Sequence, residues 1–236
     1  MTLGWWKYWS DYMAKPLKPF IRGGGFYPSR KWTPLVYPGG RTTMSDEDGG
    51  LPEEYTEVAG FSFNSDCYFV ITDLKLRGSD TVRFSLVPNA ACNVFGCYTN
   101  TSADDNYSLY VSTANNAKYL RYNGGTYKSK FLSNTFGERF DIVITPTGSS
   151  GMPEGQDDTW DEVDFTASVD MCIGTTAIDA SSAKLKGNLL GAFVVDGRFN
   201  GIPCKRKSDD ALGYYDTVSK QFFAPVLGTP TVVTSE

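Results

Sequence analysis

Carboxylates are the residues of this chain best placed to do chemistry. One group is Asp104-Asp105; the other is Glu154, Asp157, Asp158, Asp161 and Glu162, gathered around Trp160. Oxygen ligands clustered on a loop suit Ca²⁺, which makes Asp157, Asp158 and Asp161 the candidate ligands, but the spacing fits no EF-hand and the reading preferred is a solvated insertion loop without a metal. Glycoside hydrolysis needs two carboxyls ~5 to 10 Å apart, and Glu162 and Asp164 would share one face if they lay on a strand. The chain has no histidine, so Ser-His-Asp and Cys-His hydrolysis and His-ligated zinc are excluded. With no complete catalytic set, the reading is of a protein that is not an enzyme and needs no cofactor.

Rings and amides offer a different chemistry. Tyr107, Tyr110, Tyr119, Tyr122, Asn123 and Tyr127 supply faces that stack on sugars and groups that bond hydroxyls. Tyr107, Tyr110, Tyr122, Asn123 and Tyr127 are therefore the candidate ligand-binding residues, with ordinary strand packing as the alternative. Lys205-Arg206-Lys207 has the charge of a nucleic-acid patch, but Asp209-Asp210 follows it and the formal net charge is −5, so it reads as a polar turn and no nucleic-acid partner is expected.

Five cysteines, Cys67, Cys92, Cys97, Cys172 and Cys204, lack the paired spacing of a zinc or redox motif. They read as buried thiols on strands, with a Cys92–Cys97 bridge across a hairpin as the alternative. Neither a signal-length apolar core nor a membrane-length run is visible, so the expectation is a soluble protein not exported by the general route.

The elements that must position these groups divide into two unlike segments. Residues 1–41 hold Lys7, Lys15, Lys18, Arg22, Arg30, Lys31 and Arg41 against the single acid Asp11, and four of the five tryptophans, Trp5, Trp6, Trp9 and Trp32. Repeated prolines and glycines leave room for one short helix around residues 4–14, and such a segment builds no core of its own. Its rings must dock somewhere, since each full burial stabilises by roughly 1.5 to 3 kcal/mol. The surfaces open to them are the following domain, a partner subunit, or a membrane. The reading taken here is an anchoring arm without a membrane role, in which Trp5, Trp6, Trp9 and Phe20 supply affinity and Lys15, Lys18 and Arg22 set register on an acidic neighbour. Residues 42–50, polar, acidic and ending in two glycines, form a linker.

Residues 51–236 read as one all-β sandwich, with 24 Gly, 12 Pro and 14% aromatic residues in the whole chain. Strands are predicted over 56–64, 67–76, 81–87, 93–99, 107–112, 118–122, 139–145, 162–168 and 184–195, followed by a closing meander. The alternation in Thr81–Leu86 and Arg139–Thr145 implies sheets with one buried and one wet face.

The meander carries a resemblance. Ile202-Pro203-Cys204-Lys205-Arg206-Lys207-Ser208-Asp209, then Leu212-Gly213-Tyr214-Tyr215-Asp216, then Lys220 and Phe222-Phe223 resemble the C-terminal signature of concanavalin A-like (laminin-G-like) jelly-roll domains in bacteriophage structural proteins and gut-bacterial surface proteins. Leu51-Pro52-Glu53-Glu54-Tyr55-Thr56-Glu57-Val58 is similar to their entry motif, so the resemblance spans about residues 51–232. It implies a concanavalin A-like jelly roll behind an extended, mostly irregular N-terminal arm. The function implied is that of a virion subunit assembled in the host bacterial cytoplasm, as capsid decoration, head fibre or tail component. Its partners would be capsid, portal-vertex or tail subunits and further copies of itself, with a host surface glycan as ligand in the alternative, adhesin reading. Hydrolases of this fold carry an acidic strand motif that is absent here, because Asp164 is followed by Phe165-Thr166-Ala167.

Overall fold

The computed structural model describes residues 50–63, 66–99, 106–111, 117–121, 127–131, 136–152, 157–177 and 184–234. The segment 1–41 and the linker up to residue 49 lie outside them. Among the described residues there are strands, turns and bends, with no helix. The described residues hold eighteen strands in two antiparallel sheets of eleven and seven.

The larger sheet is built on β4 (Val82–Pro88), β9 (Phe140–Thr145), β13 (Gly187–Val195), β14 (Phe199–Arg206), β15 (Leu212–Asp216) and β16 (Gln221–Phe223). It also takes β1 (Tyr55–Glu57), β2 (Gly60–Phe63), β10 (Gly148–Ser150), β11 (Asp158–Thr159) and β18 (Thr231–Val232). The smaller sheet runs in the order β17 (Pro225–Leu227), β3 (Tyr68–Ile71), β12 (Met171–Ile173), β5 (Cys92–Cys97), β6 (Tyr107–Val111), β7 (Ala117–Arg121), β8 (Tyr127–Phe131).

Strand β4 alternates buried and half-buried positions without a break, Val82, Phe84 and Leu86 facing inward. This is the two-residue period expected of a sheet with one apolar face. On β13 the pairing with β4 shifts between Leu190 and Val194, where four residues advance against two, Ser85 to Arg83. Two surplus residues preserve parity, so Leu189, Phe193 and Val195 stay buried on either side of the irregularity.

Rings from both sheets interlock to make the core. Phe84 and Phe193 stack with centroids 5.2 Å apart, and Phe95 from the opposite sheet meets both edge-on at 5.4 Å. A second group joins Phe61 and Tyr214 to Phe69 across the gap at 5.8 and 5.0 Å. Edge-to-face pairs of this kind add about 0.5 to 1.5 kcal/mol each beyond their buried area.

Several sequence expectations need correction. The strand over 67–76 ends at Ile71, because the chain turns at Thr72-Asp73 with Asp73 at φ 65°. The strand over 162–168 is absent: a single bridge joins Thr166 to Arg77. Cys92 and Cys97 lie on one strand, β5, about 16 Å apart at the rise of an extended chain, so no hairpin bridge joins them. All five cysteines are buried and free, and burial pushes the thiols of Cys67, Cys97, Cys172 and Cys204 up to about 12 and that of Cys92 to about 11.

Two core substitutions should separate packing from polarity. The Tyr214 hydroxyl is buried and has no hydrogen-bond partner among the described residues, and burial raises its pKa. Tyr214→Phe removes that orphaned group while keeping the ring, and is expected to leave stability unchanged or raise it by up to about 1 kcal/mol. Phe95→Ala, at the centre of the ring cluster, should cost about 3 to 5 kcal/mol. Urea unfolding of both variants measures this, and a loss above about 1 kcal/mol for Tyr214→Phe would contradict the assignment.

Candidate functional site

The best-built surface feature is the place where the described chain begins. Strand β1 pairs with the second half of β14, Tyr55 opposite Arg206 and Glu57 opposite Cys204. β2 pairs with the first half of β13, Gly187 to Leu190. The second half of β13 pairs instead with the first half of β14. The chain from 55 to 63 therefore enters a fork between these two strands. It is fastened at the branch point on both sides, with Val58 N–H donating to Pro203 O at 3.0 Å and Gly191 N–H donating to Ala59 O at 2.8 Å. A Cβ at Gly60 would fall 2.2 Å from the Leu189 carbonyl oxygen, so only glycine passes at this point.

The residues that carry the family resemblance build the clasp around that strand. Tyr55 packs on Tyr215 and Phe222 with centroids 4.9 and 5.4 Å away, and the Arg206 guanidinium lies 4.8 Å over the Phe222 ring. The Phe222 ring lies against the Gly213 backbone, where an added Cβ would meet it at 2.5 Å; the glycine of Leu212-Gly213-Tyr214 makes that room. Lys207 donates through its ammonium to Glu53 O and through its backbone N–H to Glu54 O at 2.9 Å. Asp216, buried, accepts the backbone N–H groups of Asn200, Val218 and Ser219 at 2.8, 3.1 and 2.9 Å, which pins the turn between β15 and β16.

Lys205-Arg206-Lys207 is a turn only in part: Lys205 and Arg206 end strand β14 and the turn starts at Lys207. Lys205 pairs with Asp210 at 2.7 Å, and Arg206 donates to both oxygens of Asp209 at 3.0 and 2.7 Å. These cations are neutralised locally.

The predicted ligand-binding residues separate. Tyr107 is fully buried and packs near Phe95 and Phe165, so its ring serves packing, the second of the two roles considered for it. Tyr110 on β6 is half-buried. The register aligns Tyr110 with Tyr119 and Tyr119 with Ser129, while Arg121 pairs with Tyr127. Three of the tyrosines thus come to one end of the smaller sheet, a grouping invisible before the register was known. Tyr122 and Asn123 lie outside the described residues, as do Trp5, Trp6, Trp9, Phe20, Lys15, Lys18 and Arg22.

The acidic loop does not assemble into a metal centre among the described residues, where no group of three or more carboxylates or thiols is close enough to hold an ion. Asp157 accepts from Met152 N–H at 3.1 Å, Asp161 is exposed, and Asp158 opens β11. Glu162 and Asp164 are exposed on irregular chain, so the shared strand face that hydrolysis requires is missing there. Among the described residues, no helix is long and apolar enough to cross a membrane. The chain matches no protein-family model and no curated protein.

The clasp makes a pH prediction. Hydrogen bonds from Arg206, and then from Ala211 N–H, hold the Asp209 carboxyl down at about 2 against its ordinary 3.8. A carboxyl depressed on folding favours the folded state above its unfolded pKa, and that contribution fades as pH falls through about 2. Carboxyl NMR titration should give a midpoint near that value, and Arg206→Gln should return it toward the ordinary range; a wild-type midpoint near 3.8 contradicts the pairing.

Proposed function

We propose that this protein is a structural subunit of a tailed-bacteriophage virion: a concanavalin A-like jelly roll displayed outward and held by residues 1–41, which anchor on a neighbouring capsid, portal-vertex or tail subunit. It acts by binding and not by catalysis. The supporting observation is the use made of the signature residues. Arg206, Lys207, Gly213, Tyr215 and Phe222 are occupied in clasping the strand that follows the anchoring segment. The contacts fasten the start of the sandwich next to the segment that this reading assigns to anchoring.

A second reading is a host-glycan adhesin. It is favoured by the alignment of Tyr110, Tyr119 and Ser129, with Tyr127 beside them at register positions on the same sheet end. Specific retention on a glycan array by the full chain would select it.

Deleting residues 1–41 should abolish incorporation into particles while leaving the β-type circular dichroism spectrum and the urea midpoint intact. Particles that take up the truncated chain at the wild-type level would overturn the anchoring role.

A further inference from the structure

One charge-free run of the chain, shared between a border strand of each sheet, exposes aliphatic side chains as a strip along the sequence. Residues 221–234 run for fourteen positions without a charged side chain. Five large hydrophobic side chains are exposed among the described residues, and three lie in this run: Val226 at 56%, Leu227 at 43% and Val232 at 39%. Strand β17 ends its sheet and pairs only with β3, and β18 pairs only with β2. Native sheets usually guard such borders with charge. Here Pro225 and the irregular register between Pro225 and Leu227 obstruct addition of another strand, which leaves side-chain docking as the use for the exposed aliphatic groups.

We propose that this strip receives the ring-rich segment, residues 1–41, of a second copy of the chain. The inference rests on the reading that this segment engages a partner subunit, and it names the partner. Charge complementarity carries the choice. Residues 1–41 hold seven of the 22 Lys and Arg and one of the 27 Asp and Glu, so they carry +6 and leave −11 on residues 42–236. The tryptophans of one copy would find an uncharged aliphatic surface on the next, and its lysines an acidic body around it, beginning with exposed Asp66, whose backbone abuts Gly228. The two patches differ, so the contact is head-to-tail and repeats from copy to copy, closing as a ring or growing as a filament.

Tryptophan fluorescence and sedimentation velocity of the full chain, run across a concentration series, test this. Four of the five tryptophans lie in residues 1–41, and the fifth, Trp160, is buried and gives a constant background. The expected result is a sedimentation coefficient that rises with concentration together with a blue-shifted emission, both weakened by added salt. A Val226→Asp/Leu227→Asp variant should associate at least about tenfold more weakly. If that variant misfolds, Lys15→Glu/Lys18→Glu tests the same contact without touching the sandwich. A wild-type chain that stays a single copy with unshifted emission overturns the second-copy partner and leaves the anchoring reading standing. Blue-shifted emission at every concentration in a single copy overturns both, because the rings are then buried within one chain. Association indifferent to both variants overturns the strip as the docking surface.

Discussion

The domain depends on one insertion: the chain from Tyr55 to Phe63 is wedged into the fork between β13 and β14. Those two strands diverge after a short stretch of mutual pairing, and without a third strand the backbone groups of both would be exposed along the gap. The insert pairs those backbone groups while burying Phe61 and Phe63, so it contributes to the ladder and to the core at once. The wedge also carries Phe61 and Phe63 into the core, where Phe61 meets Phe69 and Tyr214. Backbone pairing and ring packing are thereby satisfied by the same nine residues.

This has a consequence for function. The chain runs in along β14, turns at the branch point and runs out along β13. Strand β1 pairs with β14 alone, and Tyr55 on it is covered by Tyr215 and Phe222. Behind it stands the β2–β13 pairing, which carries Phe61 and Phe63 in the core. The residues that carry the resemblance are thus engaged in packing and pairing within the sandwich, and such roles say little about a ligand.

Legibility from sequence followed element length and face. Strands β4 and β9 are long enough to display alternation, and the meander of β14, β15 and β16 is punctuated by turn residues that leave little choice. Two- and three-residue strands such as β10, β11, β12, β17 and β18 have too few positions for a period to show, so none was foreseen. The carboxylates at Glu162 and Asp164 imitate alternation, yet Gly78 N–H donates to Phe165 O and Ala167 N–H to Leu76 O, which bind that stretch to a neighbouring loop. Of the tyrosines, Tyr107 faces inward because its strand places Tyr107, Leu109 and Val111 at one parity, all buried. Which tyrosines become neighbours depends on the register of three strands, a non-local fact that no local pattern encodes.

Native-state hydrogen exchange at the fork tests the central claim most directly. The Val58 and Gly191 amides bond across the branch point at 3.0 and 2.8 Å, and the account predicts that they exchange only through global unfolding, with the protection of the β4 and β13 core amides. Exchange as fast as that of the exposed turn at Ser208 to Asp210 would mean that the wedge opens independently, and that the root of the N-terminal segment is not locked into the sandwich.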